Sequence, residues 1–341
     1  MTKISDIAEA CGVSTATVSY VLTGKASERR ISNETKELVI KTAQEMNYQR
    51  SSKVPRKIPV VAIYIQDENF DMTVPPIMEA VKRVQYSTPM PVNIVMRPYG
   101  AGHIADERYL FANDIFDAAV ITGINAADID SLTENRPLIP TVLVNRSIDG
   151  YPSISIDSEE VGVIASRIAL NISRDIAIVM NPHPFTNMIV RSQTFTKNVI
   201  AAGVDLEDAV FFCPNKIDCA FNLGMEIVNS GKLKKVYYCN YDMVALGMMN
   251  AFSSCGIKVG EDVYVFASSN GPGDLFAYSY PPLTIIDQKF EEINEAAIRL
   301  AIDYISKRTS AIRQRIVHPE VICRKSCPAK AIPFVDPIYN S

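Results

Sequence analysis

Between Val60 and Ala267, nine short apolar runs alternate with segments whose apolar residues recur every three or four positions. The runs are VVAIYI (60–65), VNIVM (92–96), AAVIT (118–122), TVLVN (141–145), SISID (153–157), IAIVM (176–180), AVFF (209–212), KVYYC (235–239) and VYVFA (263–267). Strands that are apolar on both faces must be covered on both faces, and in a chain that alternates strand and helix the crossover helices supply that cover. Helices are expected near 75–87, 104–114, 158–171, 188–202, 218–229 and 242–254. The first four runs form one series and the other five a second. The expected fold is therefore α/β, with parallel sheets in two lobes and a ligand crevice facing the strand ends.

At 341 residues the chain is more than twice the usual domain length of about 150, so two or three units are expected. Its 48% hydrophobic and 21% charged composition is that of an ordinary globular protein. No apolar run approaches the roughly 18 residues needed to cross a bilayer, so no membrane partner is expected. The opening MTKISDIAEA carries acids and helix-period apolar positions where a secretory signal needs a basic start and a continuous hydrophobic stretch. A cytoplasmic chain is the expectation. The seven cysteines are scattered, and only Cys323 and Cys327 lie close together. With three separated histidines, His103, His183 and His318, the ligands for a tetrahedral metal site are short, so neither metal nor cofactor is expected.

Charge is distributed unevenly. Residues 1–58 hold ten Lys and Arg against six Asp and Glu, a net +4, and the remaining 24 against 32 give −8. A basic end suits a polyanionic partner, although a solvated basic face needs none.

The pattern within that end is more specific. Ile4, Ile7, Ala8 and Cys11 mark a helix over 4–11, with Thr2 or Ser5 as its cap and Gly12 as its stop. Val13 anchors a turn, and Ser14 caps a second helix whose inward residues are Val18, Val21 and Leu22. Two short helices joined by a turn with glycine make a helix-turn-helix. A third helix starts at the Ser32 cap, turns Leu38, Val39, Thr42, Ala43 and Met46 inward, and has Thr35 and Ala43 as small inner positions. The second helix displays short polar residues, Thr15, Ala16, Thr17, Ser19 and Tyr20. Small side chains let a helix enter the major groove, where hydroxyls reach phosphates or base edges and a methyl meets thymine. The alternative is a plain surface helix.

DIAEACGVSTATVSYVLTGK followed by RISNETKELVIKTAQEMNY resembles the DNA-binding headpiece of the lactose-repressor (LacI/GalR) family of bacterial transcription regulators, over residues 2–48. The resemblance implies base reading by Thr15, Ala16 and Tyr20 and phosphate contacts near Thr17 and Ser19, beside the Ser14 cap. Tyr20 stands where many relatives carry Arg. The linker QRSSKVPRKIP (49–59) departs from the family: it is short, has no leucine, and Pro55 would break a hinge helix. Arg50, Lys53, Arg56 and Lys57 are expected to make sequence-independent phosphate contacts or none, with weak kinking of the DNA.

SISIDSEEVG (153–162), YYCNYDMVALGMMNAFSSCGIKVGEDVYVFA (237–267), PPLTIIDQKF (281–290) and HPEVICRKS (318–326) resemble the same family's effector domain, which has the fold of periplasmic sugar-binding proteins. The resemblance implies three crossings between lobes, near Asp157, Asp287 and His318. It divides the chain into a headpiece (1–49), a linker (50–59), a first lobe (60–157 plus 288–317) and a second lobe (158–287 plus 318–341). It also places Arg191, Asp242 and Gln288 as ligand-binding residues. Arg191 is either a fork for hydroxyls or a carboxylate, or a surface arginine lying on its own helix. Asp242 touches ligand or caps a helix. The segment SSNGPGD (268–274) lacks the family's aromatic and aspartates, leaving Asn270 or Ser269 as substitutes and Asp274 too late in the segment. DENFDMTVPP (67–76) matches the family's first lobe only loosely. Phe70, Tyr99 and Tyr241 either stack on a ring or pack a lid.

The function expected from these readings is a homodimeric, sequence-specific transcription repressor. It binds double-stranded operator DNA and is modulated by a small molecule, a sugar or sugar derivative, bound between the lobes. The alternatives are a regulator of the same family without ligand response and an α/β enzyme. Against the enzyme, the sequence has no G-x-G-x-x-G after a strand, no P-loop, no G-x-S-x-G and no histidine cluster, and no catalytic residue is assigned.

Overall fold

The computed structural model describes residues 3–22, 26, 29, 31–46, 48, 58–67, 70–112, 115–271, 275–307, 309 and 311–332. Linker residues 49–57, Asp274 and Thr2 lie outside this set, and so do the readings made on them.

Three helices open the chain: α1 (Ile4–Cys11), α2 (Thr15–Leu22) and α3 (Asn33–Glu45). Gly12 takes the left-handed conformation at φ 64°, which a side chain would strain, and so ends α1. Ser14 and Ser32 cap as expected: Thr17 N–H donates to Ser14 Oγ at 3.0 Å and Thr35 N–H to Ser32 Oγ at 3.2 Å. The start of α1 differs from expectation, because Ser5 lies inside the first turn. Asp6 instead reaches back to accept the Lys3 N–H at 2.8 Å. That bond, with the Ser5 hydroxyl, holds the Asp6 carboxyl below its ordinary pKa. Ile7, Ala8, Val18, Val21, Leu22, Ala26, Val39 and Ala43 form the core, with Ile40 and Met46 packed on it. Leu38, expected inside, is 46% exposed, since a helix that buries Val39 and Ala43 turns its neighbour outward. Leu138 packs on this cluster, and Gln44 Nε2 donates to the Arg136 carbonyl at 3.3 Å.

The rest of the chain runs β1 (Val60–Gln66), α4 (Phe70–Ser87), β2 (Asn93–Tyr99), β3 (Ala118–Thr122), α5 (Ala126–Glu134), β4 (Thr141–Val144), β5 (Ser153–Ile156), α6 (Ser158–Ile172), β6 (Ile176–Met180), α7 (Thr186–Ala201), β7 (Val210–Phe212), α8 (Ile217–Asn229), β8 (Val236–Cys239), α9 (Asp242–Ser254), β9 (Tyr264–Ser269), β10 (Thr284–Asp287), α10 (Phe290–Ile305), β11 (Gln314–Val317) and β12 (Glu320–Ile322). These strands make two six-stranded sheets, ordered β11-β5-β4-β3-β1-β2 and β12-β10-β9-β8-β6-β7. The β1 to β5 pairs and the β6 to β10 pairs are parallel, and β12 runs antiparallel on β10. Every residue of β3, β4 and β8 is buried, as strands covered on both faces require. By contacts the chain forms two compact units: Met1–Phe70, Ala80–Ile154 and Asn294–Arg315 in one, Asp71–Glu79, Ser155–Ile293 and Ile316–Ser341 in the other.

Three helix readings need correction. The helix expected near 104–114 is only a 3-10 turn, Ile104–Asp106, because the Ile104 N–H is held at 3.1 Å by the buried Asp128 carboxylate, while Ile104, Leu110 and Phe116 anchor a loop in the core. Conversely, α5 was not anticipated; its apolar period is short, but Asn125 and Asp128 form a capping box at its start. Nor was the sixteen-residue α10 anticipated. Among the described residues, no helix is long and apolar enough to cross a membrane.

Candidate functional site

The outward face of α2 is built by its cap and its core. Ser14 Oγ also meets Thr17 Oγ1 at 2.8 Å, so two of the hydroxyls expected near DNA hold the helix start. With Val18, Val21 and Leu22 buried, Thr15 and Ala16 are exposed and Thr17, Ser19 and Tyr20 are half-buried. The Arg29 guanidinium lies 4.9 Å from the centre of the Tyr20 ring. Sequence reading passed over Arg29, which sits in a polar loop where spacing gives no direction.

At the carboxyl ends of the second sheet, Arg191 is 1% exposed, which excludes the surface reading. Its Nε donates to Asn240 Oδ1 at 3.3 Å, Nη2 to the Asn240 carbonyl at 2.8 Å, and Nη1 to Gln288 Oε1 at 2.5 Å. Asn240 Nδ2 donates in turn to Ser192 Oγ at 2.5 Å. The loops after β8 and β10 are thus fastened to α7 through one planar fork. Gly162 permits this placement: a Cβ there would lie 2.5 Å from the Arg191 carbonyl and 2.7 Å from Thr194 Cβ. Asn240 and Ser192 were not anticipated; Asn240 follows a strand and stands two residues before Asp242, which was the available signal.

Asp242 is the first residue of α9, whose N-cap is Tyr241. Its Oδ1 accepts the Met243 N–H at 2.8 Å and its Oδ2 the Ser269 hydroxyl at 2.7 Å. Burial raises the carboxyl pKa, against the lowering pull of the Ser269 hydroxyl and nearby backbone N–H groups. Ser269 Oγ also accepts the Gly271 N–H at 3.2 Å. Asn270 Oδ1 is buried and has no hydrogen-bond partner among the described residues. Tyr241 is half-buried, its hydroxyl 3.0 Å from Met188 Sδ. The structure thus brings Arg191 to Gln288 and Asp242 to Ser269, in two polar clusters.

In the first sheet, Gln66 ends β1 and is 1% exposed. Its Nε2 donates to Asp128 Oδ2 at 3.1 Å, and the Asn125 N–H reaches the same oxygen at 3.1 Å. Gln66 Oε1 is buried without a partner among the described residues. Tyr99 is a core residue, set edge-on to Tyr64 at 6.4 Å, so packing is its role. The side chain of Phe70 lies outside the described set.

Asp157, Glu160 and His318 bring one ligand-type atom each within 4.8 Å of one another. Asp157 Oδ1 caps α6 through the Glu160 N–H at 2.9 Å, and His318 Nδ1 is 2.6 Å from Glu160 Oε2. That hydrogen bond raises the His318 pKa. Cys327 is buried and Cys323 half-buried, both as free thiols.

Comparison with known proteins agrees with this architecture. Residues 3–51 match the profile of bacterial regulatory proteins of the lacI family, and residues 171–327 that of the periplasmic binding protein-like domain. The HTH-type transcriptional repressor PurR of Pasteurella multocida (strain Pm70) is 26% identical over 345 residues, covering 97% of this chain and all of the relative. Two solved structures share the fold. The complex of the transcriptional regulator CelR with cellobiose has a TM-score of 0.67 at 19% identity, covering 96% of this chain and 100% of the other. The lac repressor dimer bound to operator and the anti-inducer ONPF has a TM-score of 0.66 at 18% identity, covering 95% and 98%. The chain thus joins a lacI-family helix-turn-helix headpiece to a periplasmic-binding-protein-like domain, and over 97% of its length it is similar to an HTH-type transcriptional repressor.

Proposed function

We propose that this regulator is a cytoplasmic, homodimeric repressor that reads a two-fold operator through α2 and changes its DNA affinity when a small donor-bearing molecule, a sugar or sugar derivative, binds at the carboxyl ends of its strands. Its working parts are the headpiece (1–49), linker (50–59), first lobe (60–157 plus 288–317) and second lobe (158–287 plus 318–341). The observation that carries operator reading is the exposed, short-chained face of α2 around Thr15 and Ala16, set by the Ser14 cap. In this reading Thr15, Ala16 and Tyr20 face bases, Thr17 and Ser19 face phosphates, and no residue is assigned to catalysis.

In the second unit the buried acceptor Asn270 Oδ1 supports a ligand rich in hydroxyl or N–H donors, since an unpaired buried acceptor costs about 1–3 kcal/mol. Asp242 and Gln288 follow strands of that unit's sheet, Gln288 held by Arg191 and Asp242 by Ser269. The bound sugars of related structures, such as the cellobiose of CelR, favour the same class. A second reading rests on Arg191: its fork is already engaged by Asn240 and Gln288 at 1% exposure, as suits a regulator without ligand response.

A paired experiment tests both. Fluorescence anisotropy with palindromic DNA at several salt concentrations should show tight binding that weakens steeply with salt, because phosphate contacts release counterions. A thermal-shift screen against sugars, sugar phosphates, nucleosides and amino acids should yield a compound adding about 2.7 kcal/mol at 100 times its Kd and altering the anisotropy. DNA binding with no such compound selects the unresponsive regulator; absence of specific DNA binding sinks the reading altogether.

A further inference from the structure

Helix α2, TATVSYVL, contains no charged residue, so the cation that most often reads guanine must come from elsewhere if this helix is to select a G·C pair. Tyr20 lies one turn beyond Ala16, on the same face of α2. Over its ring, with the guanidinium carbon 4.9 Å from the centroid, sits the exposed Arg29. Stacking on an aromatic face leaves the in-plane N–H groups of a guanidinium directed outward, and it fixes the fork at little further entropic cost.

We propose that Arg29 is a specificity-determining residue of this regulator: its guanidinium, held on Tyr20, donates two hydrogen bonds to O6 and N7 of one guanine in each operator half-site. Tyr20 then serves as a platform through its ring and does not read a base through its hydroxyl. A lysine would supply the charge without the planar fork, and an arginine at position 20 itself would reach the groove from the helix axis. Placing the cation on the loop moves the reading group to the carboxyl-terminal end of α2. This inference rests on the operator-binding reading above.

The test is selection of binding sites from a random palindromic DNA library by the full-length wild type and by Arg29→Ala, Arg29→Lys, Tyr20→Phe and Tyr20→Ala, each first shown by thermal melting to fold as wild type does. The wild-type consensus should hold one strongly preferred G per half-site. Arg29→Ala should erase that preference alone, with a loss of roughly 5- to 150-fold per half-site on the wild-type consensus and little on sequences lacking the guanine. Tyr20→Phe should keep the preference, while Arg29→Lys and Tyr20→Ala should weaken it at the same position. Equal loss on all sequences, with the salt slope falling by about 0.9 per half-site, identifies a phosphate contact and overturns the proposal. An unchanged consensus in Arg29→Ala overturns it as well. A wild type that selects no consensus at all defeats the operator-binding reading itself, an outcome distinct from the other two.

Discussion

Arg191 and Gln288, 97 residues apart in sequence, meet in a 2.5 Å hydrogen bond from Nη1 to Oε1 inside the second unit. The guanidinium therefore works as an internal brace between α7 and the loops after β8 and β10, and its contribution is measurable without any ligand. Arg191→Ala should cost about 3–5 kcal/mol in urea unfolding, combining a buried cavity with three stranded acceptors, whereas Gln288→Ala should cost about 1–2 kcal/mol. A loss below about 1 kcal/mol for Arg191→Ala would show that water replaces the brace. Ligand tests on this variant must accordingly read the ligand-induced increment, because its melting point falls regardless.

Asp242 sets a pH dependence. Its carboxyl pKa is raised above the ordinary 3.8 chiefly by burial, so the stability linked to this group is fully present below that value and is lost as pH rises through the folded-state value. The unfolding free energy of wild type minus that of Asp242→Asn should therefore decline over that interval. A difference that grows with pH would mean that the hydrogen bonds from Ser269 and Met243 outweigh desolvation.

Helices α8 and α9 touch through glycine. A Cβ at Gly247 would lie 2.4 Å from the Ile217 carbonyl and 2.6 Å from Ala220 Cβ. Gly247→Ala should destabilise the chain by about 1–3 kcal/mol despite its better helix propensity. Chemical denaturation measures this, and an unchanged midpoint would show that the helices part freely.

Ser14 caps the helix proposed to read DNA. Loss of its acceptor for the Thr17 N–H in Ser14→Ala should cost the headpiece about 1 kcal/mol. Hydrogen exchange of the α2 amides should report this local loss even where the global midpoint hardly moves.

His318 and Glu160 give a local titration. The hydrogen bond that His318 donates to Glu160 raises the imidazole pKa above 6.5, so the pair's contribution is complete below that value and is lost as pH rises through the folded-state value. Proton NMR of the ring should show an elevated midpoint that returns toward 6.5 in Glu160→Gln. An identical titration in both would mean that the pair is not formed in solution.

The sequence by itself determined most of the elements and their order. Val and Ile in runs such as AAVIT and IAIVM can be satisfied only between two covering layers, and the caps at Ser14 and Ser32, with Gly12 as a stop, mark local backbone geometry that needs no distant partner. Those same short-range rules made the helix near 104–114 look regular, when Asp128, 24 residues beyond Ile104, had already claimed its first N–H. Leu38 was misplaced because a three- and four-residue period leaves two neighbouring apolar positions nearly equivalent until the core chooses Val39. What only the tertiary structure decided are the pairings across long intervals: Arg191 with Asn240 and Gln288, and Asp242 with Ser269. Periodicity fixes which way a residue faces on its own element. The polar partner it meets depends on how separate loops converge at the ends of a sheet, and that convergence follows from strand order and register, which no local run of residues encodes.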